Sequence, residues 1–225
     1  MISKTRLLAT ALLNLALVIA VVFIPAGSLK FWEGWTCIAV VFLSDVLTYL
    51  YFYKHDPELL KRRLQQKEGL KEQRVLRRAF APVPFVGVVL AGLDYRFGWS
   101  RDMGGVPLWL ILLAHALVLG GYVVVFWTMK VNSFASRTIQ VESEQAVIST
   151  GPYGIVRHPL YMGRVITVLF APLALGSYIA LPIFALYIVF FILRLISEEK
   201  ILRQQLPGYS DYCSYTRFRL VPFVW

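Results

Sequence analysis

Residues 151–163 have the sequence Gly-Pro-Tyr-Gly-Ile-Val-Arg-His-Pro-Leu-Tyr-Met-Gly, and they mark the point where a polar loop becomes an apolar helix. Pro159 predicts that this helix begins directly after His158, because proline is well tolerated in the first helical turn. That turn presents free backbone N–H groups and a partial positive charge. With the guanidinium of Arg157 beside it, the sequence predicts a site for a carboxylate or phosphate.

The residues around this helix start extend the prediction. Tyr161 follows His158 by three positions, so the two side chains share one helix face. Gly151, Gly154 and Gly163 would let a ligand approach the backbone closely. A belt of interfacial aromatic residues with a snorkelling arginine would also explain the pattern.

A second polar block follows two apolar segments later. Arg194 and Glu198 are four residues apart, as are Glu199 and Arg203, which is the spacing of helical salt bridges. However, Arg194 lies in an apolar run, where ionisable residues are costly and usually functional. Salt bridges and a ligand site are both compatible with this block.

The composition indicates a polytopic membrane protein. Hydrophobic residues make up 58% of the 225 residues, against roughly 45–50% in globular domains. The net charge of +10 lies in loops, as in membrane proteins, which argues against nucleic-acid binding. Two cysteines and three histidines show no zinc-ligand spacing, so no metal site is expected.

Six membrane spans are expected, at 7–26, 35–53, 79–95, 107–129, 160–175 and 178–196. The first is long enough to be a retained helix rather than a cleaved signal. Only Gly176-Ser177 separates the last two, which predicts a tight helical hairpin. We therefore expect an all-α membrane protein, with four spans in residues 1–129 and the remaining two, with a polar tail, in residues 130–225.

The basic residues predict the orientation. The 54–78 loop contains nine Lys or Arg against four acids, so this loop and both termini are expected in the cytoplasm. With six spans, both polar blocks would also be cytoplasmic. The 57–78 segment is expected to be an amphipathic helix, lying on anionic headgroups or serving as a lid over the active site.

Other polar residues have more than one explanation. Asp45 and Arg164 lie within predicted spans and are either functional or paired with each other. His115 fits an interhelical hydrogen bond better than a ligand. Asn132 and Ser136 either cap the fourth helix or contact a substrate.

Together, the two blocks resemble the isoprenylcysteine carboxyl methyltransferase family and its phospholipid-methyltransferase relatives. Within that family, the chain resembles the bacterial members. The resemblance covers about residues 130–225, and it includes Gly208-Tyr209, Tyr212 and the Arg217-x-Arg219-Leu220-x-Pro222 tail. It implies a membrane methyltransferase that uses S-adenosyl-L-methionine bound on the cytoplasmic side. The cofactor site implied by the resemblance comprises Gly151, Tyr153, Arg157, His158, Tyr161, Gly163, Glu198 and Glu199.

The expected substrate is lipophilic: a prenylated or other lipophilic carboxylate, or a lipid headgroup. Arg194 is expected to orient a carboxylate and so to act in catalysis and substrate binding, with Asn132 and Ser136 as further substrate contacts. The segment 140–145 departs from bacterial relatives and leaves the substrate open. Two alternatives are an NADPH-dependent membrane reductase of the sterol-reductase type and a non-catalytic membrane binding protein. The reductases usually have Asn and Glu where this chain has Leu160 and Arg164.

Overall fold

The computed structural model describes residues 4–64, 70–135 and 145–225, without the side chains of 4–12 and 64. Every regular element in these ranges is helical. The helices are α1 Lys4–Ala26, α2 Trp32–His55, α3 Pro57–Leu64, α4 Lys71–Phe80, α5 Val83–Phe97, α6 Trp99–Asp102, α7 Leu108–Val131, α8 Pro159–Ala174, α9 Leu181–Gln205 and α10 Tyr209–Tyr215, with a 3₁₀ turn at Gly151–Gly154.

The prediction of an all-α membrane protein is confirmed. Within the described ranges, four segments are long and apolar enough to cross a membrane: Trp32–His55, Lys71–Phe97, Leu108–Val131 and Leu181–Gln205. Large apolar side chains on their outer faces are exposed, such as Leu47 at 65% and Trp109 at 66%. The six-span count is not confirmed: Pro159–Ala174 is shorter than a full span, and side chains are described only for the Leu13–Ala26 part of α1.

The last predicted span differs from the observed helix at both ends. It was expected at 178–196, but α9 begins at Leu181 and continues to Gln205. The extension carries the ion pair between Glu199 and Arg203, which supports helical structure beyond the apolar run. The connection from α8 to α9 is therefore longer than the Gly176-Ser177 pair that suggested a tight hairpin.

Helices α7 and α8 approach each other closely through two glycines. A Cβ atom added to Gly163 would lie 2.6 Å from the carbonyl oxygen of Gly121. A Cβ atom added to Gly121 would likewise lie 2.6 Å from the carbonyl oxygen of Gly163. Only glycine permits this backbone contact, as in small-residue packing between membrane helices. Helix α8 also packs against α9, while α5 contacts both α1 and α9.

A buried carboxylate joins the loops at the end of the bundle remote from the 151–163 segment. Asp94, 2% exposed, accepts hydrogen bonds from the Ser100 amide and from the Ser100 and Ser177 hydroxyls. The Tyr178 amide in turn donates to the Ser100 hydroxyl. These bonds hold the turn between α8 and α9 against α5.

The polar residues inside the predicted spans contact neighbouring helices. The His115 ring bonds Thr36 at 2.8 Å and the Ile111 carbonyl at 2.9 Å, so the expected interhelical hydrogen bond is confirmed. The Arg164 guanidinium lies 5.5 Å from the ring centroid of Tyr122 and bonds its hydroxyl. Asp45 acts electrostatically on the same hydroxyl, so these two charged groups share a neighbour.

Candidate functional site

The two polar blocks meet at Glu199, which lies on α9. Its carboxylate is 5% exposed and pairs with Arg157 at 3.1 Å, Arg203 at 2.9 Å and Arg219 at 2.7 Å. The predicted helical pair between Glu199 and Arg203 therefore exists, but it is one part of a larger cluster. Three guanidiniums around one carboxylate leave an excess of positive charge, which favours an anionic ligand nearby.

A second set of contacts connects α8, α9 and α4. Tyr161 donates to Oε2 of Glu198 at 2.5 Å, and Arg194 bonds the same tyrosine hydroxyl. Arg194 is 6% exposed, and its Nη1 also lies 3.4 Å from Oε1 of Gln73. Glu198 is only partly buried, so its carboxylate remains accessible to a ligand.

His158 lies between these two sets and is 5% exposed. Its Nε2 is 3.9 Å from Glu199 and 3.4 Å from the Tyr209 hydroxyl. Burial lowers the pKa of His158 to about 4, although the Glu199 carboxylate acts in the opposite direction. The imidazole is therefore neutral at pH 7 and can donate or accept a hydrogen bond without carrying charge.

The C-terminal tail pairs with the backbone directly before α8. The amides of Arg157 and His158 donate to the carbonyls of Phe218 and Arg219, and these two amides precede the first turn of α8, for which free N–H groups were predicted. The 216–225 tail thus packs along this segment and satisfies these donors. Within the described residues, however, the buried Nε of Arg157 has no hydrogen-bond partner.

The 3₁₀ turn positions Tyr153 beside the end of α7. Asn132 donates to the Tyr153 hydroxyl at 2.8 Å, and Tyr212 donates to the Tyr153 carbonyl at 2.7 Å. Burial raises the pKa of Tyr212 to about 12, so its hydroxyl stays protonated. Gly151 adopts φ +60°, and an added Cβ would lie 3.1 Å from Val131.

The structure brings together most of the residues predicted for the site. They form two contact sets, one of Arg157, His158 and Glu199 and one of Tyr161, Arg194 and Glu198, whose neighbouring His158 and Tyr161 rings have centroids 6.0 Å apart, and Tyr153 and Asn132 are linked to the first set through Tyr212 and α10. Gly163 instead packs against Gly121, and Gly151 lies against α7. Ser136 and most of 140–145 fall outside the described residues.

Sequence reasoning missed Gln73 and the central position of Arg219. Gln73 is 3% exposed and reaches Arg194 from α4. Its spacing from Leu76 and Phe80 was a signal, because the three residues recur on one face of a helix. Arg219 was noted only as part of a motif, and nothing in its local sequence indicated a contact with Glu199. Among the described residues, no group of His, Cys, Asp and Glu could hold a metal ion.

Both polar blocks lie largely within the part of the chain that matches a family model. Residues 109–207 match the family model of the phospholipid methyltransferases. This family includes the isoprenylcysteine carboxyl methyltransferases, so the resemblance predicted from the sequence is confirmed over this part of the chain. The matched region contains the 3₁₀ turn, α8 and all of α9, including Tyr161, Glu198 and Glu199.

The chain is also similar to the Delta(14)-sterol reductase TM7SF2 of Mus musculus. The two are 29% identical over 93 residues, which cover 39% of this chain and 22% of the reductase. The chain therefore spans less than a quarter of that relative's length.

Proposed function

We propose that this membrane protein is an S-adenosyl-L-methionine-dependent methyltransferase that acts on a lipophilic substrate, with transfer to a carboxylate favoured. The observation that carries the proposal is the meeting of the two polar blocks inside a matched phospholipid-methyltransferase region. The alternative acceptor is a lipid headgroup.

The residues present fit this cofactor. It carries a carboxylate, an ammonium group, a sulfonium and ribose hydroxyls. The excess positive charge around Glu199 and the unpartnered Nε of Arg157 suit the carboxylate. The partly buried Glu198 suits the ammonium group or the ribose hydroxyls. We assign Tyr153, His158 and Tyr161 to the walls of the same site.

Glu199 has a different role from Glu198 in this proposal. Its carboxylate is enclosed by Arg157, Arg203 and Arg219, so it positions the cationic groups that face the cofactor. Gly163 contributes through the close contact of α7 with α8, and Gly151 through the positive φ of the 3₁₀ turn.

The cofactor supplies an already activated methyl group, so the protein's main task is to position the acceptor in line with it. Arg194 is the residue that we assign to orienting an acceptor carboxylate. A carboxylate is a nucleophile without losing a proton, so no general base is needed. The contacts of α4 with Arg194 exclude water from this position and strengthen its electrostatic interactions.

We place the site and both termini in the cytoplasm. Support comes from the basic 54–78 segment, which contributes α4 to the site. Asn132 and Ser136 remain candidates for substrate contact, since Asn132 ends α7 and bonds Tyr153 next to the site.

The proposal is tested by supplying purified protein with methyl-labelled S-adenosyl-L-methionine and a total membrane lipid extract. We expect mild alkali to release the label from the lipid fraction as volatile methanol, because a methyl ester is base-labile whereas a methylated amine is not. Label that stays non-volatile after alkali would identify a headgroup acceptor. The Arg194→Gln variant serves as the control with impaired transfer. The absence of any transfer by wild type would contradict the proposal.

The similarity to a sterol reductase supports one other candidate, an NADPH-dependent membrane reductase. In that case the cationic cluster would hold a cofactor phosphate instead of a carboxylate. Binding of NADPH, with no binding of S-adenosyl-L-methionine, would favour this second candidate.

A further inference from the structure

Helix α4 has two faces of opposite character. Its inward face carries Gln73, 3% exposed, with Leu76 and Phe80 packed against the cluster that contains Tyr161 and Phe190. The two rings of Phe80 and Phe190 lie 5.8 Å apart. The helix therefore covers the α8–α9 side of the site through apolar packing and one polar contact.

The outward face carries a basic stripe, which we define as Lys71, Arg74 and Arg78. All three side chains are exposed, and their spacing of three and four residues places them on one line along the helix. This line is opposite the face that carries Gln73. Val75, 60% exposed, borders the stripe with an apolar side chain.

The position of α4 places the stripe at the membrane surface. Residues 71–97 form one candidate span, and α4 is its polar end, so the stripe lies where the span leaves the hydrocarbon. An amphipathic helix with basic and apolar residues on its exposed side fits anionic phospholipid headgroups. Charge complementarity therefore identifies the occupant of this face.

We propose that anionic phospholipid headgroups bind the basic stripe and hold α4 against α9, so that the site is covered only at an anionic membrane surface. The contact from Gln73 to Arg194 is long, at 3.4 Å, and adds little to the packing of Leu76 and Phe80 that holds α4 in place. Headgroups on the outward face add a further attraction that depends on the membrane surface. The role of the covered Arg194 in orienting a substrate rests on the proposed function. The binding of headgroups to the basic stripe does not.

The test measures how well α4 is seated. Leu76→Cys in a Cys37→Ser/Cys213→Ser background is reconstituted in nanodiscs of phosphatidylcholine, with or without phosphatidylglycerol, and labelled with a water-soluble maleimide. Each basic group near an anionic surface contributes a factor of about five, so three groups slow the labelling by up to about a hundredfold when phosphatidylglycerol is present. Val75→Cys is the control for reagent access, since its side chain is already exposed.

Matched variants assign the effect to the stripe. Replacing Lys71, Arg74 and Arg78 by glutamine should abolish the lipid dependence. Replacing the exposed Lys30, Lys54 and Lys200 by glutamine removes the same charge and should preserve it. If Leu76→Cys does not fold, Phe80→Cys provides the same readout.

Three results would overturn the proposal. The first is an equal labelling rate in both lipids, and the second is an equal loss of the lipid dependence in both triple variants. The third is that inorganic phosphate slows the labelling in neutral nanodiscs as much as phosphatidylglycerol does, which would mean that no membrane surface is needed. The measurement involves no methyl transfer, so its failure would leave the proposed function standing.

Discussion

Tyr161 donates a 2.5 Å hydrogen bond to Glu198, a residue 37 positions further along the chain. This bond joins the start of α8 to the polar end of α9, and Arg194 bonds the same hydroxyl. Three side chains from two sequence blocks therefore form one connected group.

Glu199→Gln should destabilise the protein more than Glu198→Gln does. The first change leaves the buried Arg157 and the two other arginines without their shared carboxylate, which costs roughly 3–5 kcal/mol. Glu198 is partly buried and its replacement should cost less. Thermal unfolding in detergent compares the two variants, and equal melting temperatures would mean that the arginine cluster does not depend on Glu199.

Gly163→Ala should lower the free energy of unfolding by roughly 1–3 kcal/mol, because the new methyl group would lie 2.6 Å from the Gly121 carbonyl oxygen. Gly120→Ala is the matched control, since an added Cβ at Gly120 meets no atom within 4 Å. Melting temperatures of the two variants check this. A stable Gly163→Ala protein with full cofactor binding would exclude the close packing of α7 against α8 as a requirement.

The protein should lose stability in acid through His158. Its folded pKa of about 4 lies below the ordinary value of 6.5, so the unfolded state binds the proton more tightly. The stability that comes from burying a neutral His158 is fully present above pH 6.5 and is lost as the pH falls towards 4. The loss amounts to about 2 kcal/mol at pH 5. The measurement is the difference in unfolding free energy between pH 7 and 5, for wild type and His158→Gln. The variant should show the smaller difference, and equal differences would refute a depressed pKa.

Arg157→Lys should impair cofactor binding, but less than Arg157→Ala does, because lysine keeps the charge and loses the planar fork. A cofactor analogue without the carboxylate should bind wild type poorly and lose little more in Arg157→Ala. Isothermal titration with both ligands checks this. An equal penalty for the analogue and the intact cofactor would show that Arg157 does not contact the carboxylate.

The sequence predicted the membrane class, the start of α8 at Pro159 and the two blocks that meet. These depend on local features: apolar runs, proline at a first helical turn and charges at helical spacing. The hydrogen bonds from the Arg157 and His158 amides to the tail were not predictable, because they depend on how residues 216–225 pack in space. For the same reason, Gly163 was assigned to a ligand, although its neighbour is Gly121.

The most direct test of the central claim is equilibrium binding of S-adenosyl-L-methionine and NADPH to the purified protein, compared between wild type and Glu198→Gln. The account predicts that wild type binds S-adenosyl-L-methionine and not NADPH. The variant should bind about ten- to a hundredfold more weakly, because a hydrogen bond to a charged group contributes roughly 1.5–3 kcal/mol. Binding of NADPH alone, or unchanged S-adenosyl-L-methionine affinity in a folded Glu198→Gln variant, would contradict the claim that the two blocks form one S-adenosyl-L-methionine site.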